Sequence, residues 1–390
     1  MKKILYLTHE GIGSSIFRSQ IIQHCISMKK SNKIDILVNN TIKKIWNKSV
    51  SNKSKYEKLI ENKIILKKGV WIHLPFSSIL NAFFLIKFLL SCKKEYSIIH
   101  ARTEYSTFIA ILTKFFHRLP VIWDSRGDSI DELKLSFENK SGLLFFYKIY
   151  LIFRQKFIVF INQKYSDHMF FVSKELKNLY LRNNKKKNVT IIPCLVPSKL
   201  YFFYLKNRIK YREILGVKKN ELLFIYSGSM AVYQSIDKLL NLFKNILNNK
   251  HHILILTTQI NKAKINFQKL SNYKNISFLS VPYEHVNYYN SAADFGIMIR
   301  SNRSTNWVAS PTKFGEYCMS GLTILHNNSI QQVNELCKKF KNNLSRSLSN
   351  ITPMDYNKRI LIASKAIMFF SRNNYIKYYN KVYENLKSKN

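Results

Sequence analysis

At 390 residues the chain is longer than one hydrophobic core of ordinary size, and it reads as two domains with a cleft between them. Hydrophobic residues make up 46% of it in short dispersed runs, which excludes a disordered polymer. With 63 Lys+Arg against 22 Asp+Glu the formal charge is +41, and because basic residues occur in every region, a chain-wide compositional bias competes with attraction to a polyanion or an anionic membrane surface.

The first half alternates strand-like and helix-like segments. Residues 3–8 form a buried-strand run, 14–28 carry helical spacing through Ile16, Ile21, Ile22 and Ile26, and 34–38 read as a second strand. Strands at 97–100, 120–123 and 168–172 follow, with a helical stretch at 107–116 and Ser173 as the N-cap of another helix. Such alternation predicts parallel sheets with helical crossovers. Segments 79–90 and 143–161 mix Phe, Leu and Ile with cations, and neither is long and apolar enough to span a bilayer. Each suits either a headgroup interface or a helix burying one face in its own domain.

After 189–192 the pattern resets, and Pro193 and Pro197 mark a linker before a basic helix at 206–215. A second series follows, with strands at 222–226, 252–257, 276–279 and 295–299 and helices at 235–247 and 312–319. The expected fold is α/β, two doubly wound Rossmann-like domains facing a cleft. The boundaries are 1–192 for the first domain and 193–354 for the second, with helices at about 355–390 packing back on the first. The cysteines Cys25, Cys92, Cys194, Cys318 and Cys337 form no CxxC or Cys/His spacing, so no metal is expected. Their odd number, with no cleavage-site pattern after Met1-Lys2-Lys3, makes a cytoplasmic location the expectation.

Three motifs stand at strand-to-loop junctions. His9-Glu10-Gly11-Ile12-Gly13-Ser14 offers glycines and a helix N-terminus to a ligand, although Ile16 and Phe17 occupy the region of a third glycine. Tyr226-Ser227-Gly228-Ser229-Met230 repeats the arrangement in the second half. The third and most specific is Ser310-Pro311-Thr312-Lys313-Phe314-Gly315-Glu316-Tyr317-Cys318-Met319-Ser320-Gly321. Ser310 is expected to cap that helix with Pro311 in its first turn, so that the N–H groups of Thr312 and Lys313 face an anion. Lys313 adds a full charge, and Glu316, one turn on, can accept hydrogen bonds from the vicinal hydroxyls of a ribose.

The string from Asp294 to Leu325 resembles the donor-binding segment of the retaining GT-B glycosyltransferases of the glycosyltransferase 4 family. Blocks at 11–13, 171–173, 189–193, 226–229 and 278–283 fall in the same order, so the likeness covers about residues 1–326. It implies a nucleotide-sugar donor, with Glu316 on its ribose, backbone N–H groups of Ser310, Thr312 and Lys313 on its diphosphate, and Val281, Pro282 and Tyr283 at its base. Gly13, Gly228 and Ser229 complete the donor set. Departures accompany it. The first glutamate of the family's paired motif falls at Val308, which cannot bond a sugar hydroxyl, and Ser229 and Gln234 stand where an Arg and a Lys usually hold the diphosphate. The compensating charge then falls to Lys313, Arg300 or Arg303.

Where the family often has a histidine facing the reacting carbon, Asp124-Ser125-Arg126-Gly127-Asp128 places Arg126. An arginine is no base, so Arg126 either stabilises charge and orients a hydroxyl or forms a structural ion pair with Asp124, Asp128 or Asp131. His100 and Glu104 lie at a strand's C-terminal end, where doubly wound folds place ligands, and His100 reads either as a satisfied core histidine or as a functional one. The expected catalytic residues are Arg126, Lys313 and Arg300. The function implied is sugar transfer, with retention and without cofactor or metal, to a glycan or lipid-linked acceptor in surface polysaccharide or glycolipid synthesis, at the inner face of the membrane. The alternative is a catalytically degenerate GT-B protein that binds a sugar nucleotide or scaffolds an assembly. Nothing marks a nucleic-acid module.

Overall fold

The computed structural model describes residues 3–40, 43–92, 95–138, 141–182, 188–248, 251–342 and 351–388. They form two compact units, residues 1–193 with 372–390 and residues 194–371.

The first unit is built on β1 (Lys3–Thr8), β2 (Ile34–Asn40), β3 (Ile64–Lys68), β4 (Tyr96–Arg102), β5 (Val121–Ser125), β6 (His168–Phe171) and β7 (Val189–Ile191), all parallel in the order β3-β2-β1-β4-β5-β6-β7. Parallel strands need helical crossovers that cover both faces of the sheet, so their residues are apolar without alternation. All seven residues of β4 are buried. On one face Leu5, Leu7, Ile99 and Ala101 pack against the helices Ser77–Ser91, Glu104–Leu112 and Leu143–Tyr165. Ser173 caps the Lys174–Leu181 helix by accepting from the Leu176 N–H, and Asp128 caps Ser129–Ser136. The first crossover does not begin as the expected plain α-helix. Ser14 Oγ accepts from the Phe17 N–H, a π-helical segment runs over Phe17–Ile22, and α-geometry resumes at Gln23–Met28.

The second unit holds β8 (Leu223–Ser227), β9 (His252–Leu256), β10 (Ile276–Leu279), β11 (Phe295–Met298) and β12 (Thr323–His326), parallel in the order β10-β9-β8-β11-β12. Period-two alternation along β8 sends Leu223 and Ile225 to one core and Phe224 and Tyr226 to the other.

The C-terminal tail divides instead of packing on the first half alone. The helix Tyr356–Phe370 belongs to the second unit, because Ala366 and Phe370 complete a core there and the Phe370 ring stands edge-on to Phe314 at 5.7 Å. Only from Arg372 does the chain rejoin the first unit, where the Ile376–Lys387 helix buries Tyr379 and Tyr383. Entry to and exit from the second unit run side by side, with the Val196 N–H donating to the Phe370 carbonyl at 2.9 Å.

Candidate donor site in the second unit

In the second sheet the strand order reverses between the parallel neighbours β8 and β11, so the loops that leave their carboxyl ends run to opposite sides and open a crevice. The loop after β8 is tied down residue by residue. The Ser227 N–H donates to the Tyr317 hydroxyl at 2.7 Å and the Gly228 N–H to the Leu256 carbonyl at 2.9 Å. The Tyr226 hydroxyl donates to the Ser229 carbonyl at 2.9 Å, and the Met230 N–H to Gln259 Oε1 at 2.7 Å. Gly228 has φ +155°, and a Cβ there would sit 3.6 Å from Lys313 Nζ, in the space in front of that ammonium. It is the backbone conformation that calls for glycine here, since a Cβ at that distance makes only ordinary contacts.

Lys313 is buried in the first turn of the Thr312–Met319 helix. Its Nζ donates to Gln234 Oε1 at 3.0 Å and lies 4.3 Å from the centre of the Tyr226 ring, and among the described residues no carboxylate forms an ion pair with it. Burial first, and the charge of Arg300 second, push its pKa well below the usual lysine value, while Glu316 acts the other way. Arg300 is also buried. It stacks over Tyr233 at 5.3 Å, donates to Asn306 Oδ1 at 3.3 Å, and its own backbone is clasped by Asn327. Two cations thus converge on the glycine loop, an arrangement that a nearby anion would relieve.

The same helix presents an N-terminus with no side-chain cap. Here the structure corrects the sequence reading. Pro311, not Ser310, is the N-cap, and Ser310 Oγ accepts from the Cys194 N–H at 2.9 Å instead. A donor 116 residues away has taken the hydroxyl that sequence alone assigns to its neighbours. The uncapped turn, with its partial positive charge, is the usual setting for a phosphate.

Glu316, one turn further, is buried, and burial lifts its carboxyl from 4.5 to about 7 against the opposing pull of the Tyr283 and Tyr201 hydroxyls and Lys313. Tyr201 carries no sequence signal of this role, lying just beyond the unit boundary and far from every motif. Its ring centre is 5.7 Å from that of Tyr283. Of the base-contact candidates, Tyr283 and Val281 pack against the same core as the Glu316 helix, and Pro282 is exposed. Val308 is buried and apolar.

The remaining candidates belong to the first unit. Gly13 is an exposed turn residue after β1. Arg126 donates through Nη2 to Asp124 Oδ2 at 2.6 Å, so of the alternatives open in the sequence the ion pair with Asp124 is formed. Asp124 also lies 3.4 Å from His100 Nε2 and 3.8 Å from Arg102 Nη1. Burial would raise its carboxyl, but Arg126, His100 and Arg102 together hold it well below the usual range. His100 is fully buried and its Nδ1 is 2.7 Å from the Tyr383 hydroxyl, which makes it a core residue tying the C-terminal helix to β4. Glu104 is buried, accepts from Ser125 Oγ at 2.8 Å, and is lifted by burial to about 7.

No family model matches the chain, and no curated protein matches it. Solved structures do. Sucrose-phosphate synthase from Thermosynechococcus elongatus superposes with a TM-score of 0.72 over 100% of both chains at 12% identity. Anabaena HepE, solved in complex with UDP and glucose, gives 0.67 at 13% identity, again over 100% of both chains. The lipopolysaccharide outer core galactosyltransferase WaaB, in its apo form, gives 0.62 at 12% identity over 99% of this chain and 100% of its own. At such identities the likeness is one of architecture. Two parallel α/β units with seven and five strands, together with the likeness to these glycosyltransferases, give this chain the GT-B fold.

Proposed function

We propose that the protein is a glycosyltransferase that takes a sugar from a nucleoside-diphosphate sugar. The observation that carries this reading is the buried Lys313 ammonium, without a carboxylate partner among the described residues, beside a fixed glycine loop and an uncapped helix N-terminus in a GT-B fold. A diphosphate answers all three features. Lys313 and Arg300 neutralise the charge that develops on it as the glycosidic bond loosens, and the helix N–H groups bind the departing oxygens. Glu316, once ionised, accepts from the two hydroxyls of a ribose, while Tyr283 with Val281 and Pro282 faces the base. That HepE was solved with UDP and with UDP-glucose supports a sugar nucleotide in this role.

We assign the chemistry to the retaining class resembling the glycosyltransferase 4 family, without metal or cofactor. The acceptor is a glycan or lipid-linked hydroxyl in surface polysaccharide or glycolipid synthesis on the cytoplasmic side. In the first unit, Arg126 would orient the acceptor from the carboxyl end of β5, with Asp124 fixing its guanidinium. A second reading, a GT-B protein that binds the nucleotide sugar without turnover, is favoured by Val308 and by Ser229 and Gln234 in place of the Arg and Lys.

The test is thermal denaturation against UDP-, GDP-, ADP- and CMP-sugars, with Lys313→Met and Glu316→Ala beside the wild type. One nucleotide class should raise the melting temperature of the wild type, and Lys313→Met should weaken that ligand between about 10-fold and 100-fold while staying folded. If no sugar nucleotide shifts the wild type, or Lys313→Met responds equally, the donor site is misassigned. Nucleotide release that depends on an added acceptor separates a transferase from the non-catalytic reading.

A further inference from the structure

The first unit carries a large apolar face that its own core leaves uncovered. In the Leu143–Tyr165 helix, Phe146, Tyr150, Phe153, Phe157 and Phe160 recur every three or four residues and are exposed, while Leu151, Ile158 and Asn162 on the other side are buried. An ordinary surface helix turns a polar stripe to water, and this one is apolar on both sides. The neighbouring elements continue the pattern. Phe76 is 75% exposed and Phe83 60% around the Ser77–Ser91 helix, and Phe115 in Lys114–His117 is 84% exposed. Phe76 also holds a left-handed backbone at φ +57°, a conformation that costs a bulky residue energy and is kept here with its ring outward.

These elements are joined. Ser77–Ser91 and Leu143–Tyr165 both pack on Glu104–Leu112, and the turn before Ser77 is bonded to the long helix, with the Tyr147 hydroxyl donating to the His73 carbonyl and Arg154 Nη1 to the Leu74 carbonyl at 3.4 Å. So large a contiguous patch marks an interaction surface.

Charge identifies the occupant. Segments 69–92, 105–118 and 141–166 contain no Asp or Glu, and Lys87, Arg118, Lys156 and Lys164 stand exposed among the aromatics. Lys156 Nζ lies 5.7 Å from the Phe153 ring centre and Lys164 Nζ 5.2 Å from that of Tyr165, so the ammonium groups ride at the rim of the apolar stripe. A second copy of this face would bring like charges together. A bilayer carrying anionic headgroups complements both components, with Phe rings among the acyl chains and ammonium groups at the phosphates. No helix among the described residues is long and apolar enough to cross a membrane. We propose that this face lies in the interface of an anionic phospholipid bilayer and anchors the protein there. The assignment stands on exposure and charge in the first unit, apart from the donor chemistry of the second.

The experiment is co-sedimentation of the full chain with vesicles of phosphatidylcholine alone and of phosphatidylcholine mixed with phosphatidylglycerol. The variants are Phe146→Ser/Phe153→Ser and Lys87→Glu/Lys156→Glu, each checked by melting temperature and sedimentation velocity. The wild type should bind the anionic vesicles and not the neutral ones. The Phe pair should bind about tenfold more weakly even at low salt, and the Lys pair should lose binding as salt rises sooner than the wild type. Unchanged binding by a folded Phe variant would overturn the proposal, since total charge alone would then carry the attraction. A wild-type oligomer dissolved by the Phe substitutions would overturn it in favour of a second copy of the chain.

Discussion

Glu316 joins a stability cost to a binding role. Its carboxyl is lifted from 4.5 to about 7 mainly by burial, so between those values the folded protein holds a proton there that the unfolded chain has released. Stability must fall as pH rises through that window and level off above about 7, the opposite of a salt-bridged carboxylate. Glu316→Gln keeps the shape and removes the titration. It should match the wild type near pH 5 and exceed it by about 1–3 kcal/mol near pH 8, in urea unfolding at the two values. Nucleotide binding should move the other way. The wild type should tighten as pH passes about 7 and the ribose meets a carboxylate, while the Gln variant binds about tenfold more weakly with no such rise. A variant less stable than the wild type at pH 8 would mean that Tyr201 and Tyr283 hold a carboxylate, not an acid. The spacing of Lys313 and Glu316, one helical turn apart, made this pair legible from sequence. The bond from Cys194 that claims Ser310, and the approach of Tyr201, were not legible, because both depend on contacts more than a hundred residues distant.

At the level of elements, the glycine loop is only as firm as the helix beneath it. Gly296 on β11 leaves room for the Tyr317 ring, since a Cβ there would lie 2.5 Å from a ring carbon, and the ring carries the hydroxyl that receives the Ser227 N–H. Strand, helix and loop are therefore in series. Tyr317→Phe keeps the ring and deletes the hydroxyl, which also donates to the Ile225 carbonyl at 3.4 Å, leaving the Ser227 N–H without its acceptor at a cost of about 1–3 kcal/mol. It should also lower nucleotide affinity several-fold by freeing the loop, a coupling that calorimetric titration of a sugar nucleotide can measure. Affinity equal to the wild type would show that Leu256 and Gln259 suffice to hold the loop. The strands themselves were legible wherever both faces are buried, because β1, β9 and β11 hold apolar runs of strand length. The edge strands β3 and β12 were not. β3 reads IILKK, half of it polar, and β12 is four residues pressed against the end of a helix, so neither has the run or the alternation that signals a strand. The division of the tail was hidden for a related reason, since its helices share one composition and only the cores of the two units separate Phe370 from Tyr383.

For the molecule as a whole, the formal charge of +41 sets a self-repulsion that neither core offsets locally, because basic residues outnumber acidic ones almost three to one. Unfolding spreads the charges and relieves it. Raising sodium chloride from about 0.01 M to about 0.15 M shortens the screening length from about 30 Å to about 8 Å and should therefore raise the melting temperature, without any ligand. Anionic vesicles offer the same relief in another form at the low-salt end, where the apolar face of the first unit seats the protein against counter-charges that cannot diffuse away. Stability gained from salt and stability gained from vesicles should consequently be alternatives, the second fading as the first grows. Melting curves over that salt range, with and without phosphatidylglycerol vesicles, distinguish this from a charge distribution already neutralised by its own ion pairs. In that case the salt profile is flat and the vesicles act, if at all, through the aromatic residues alone.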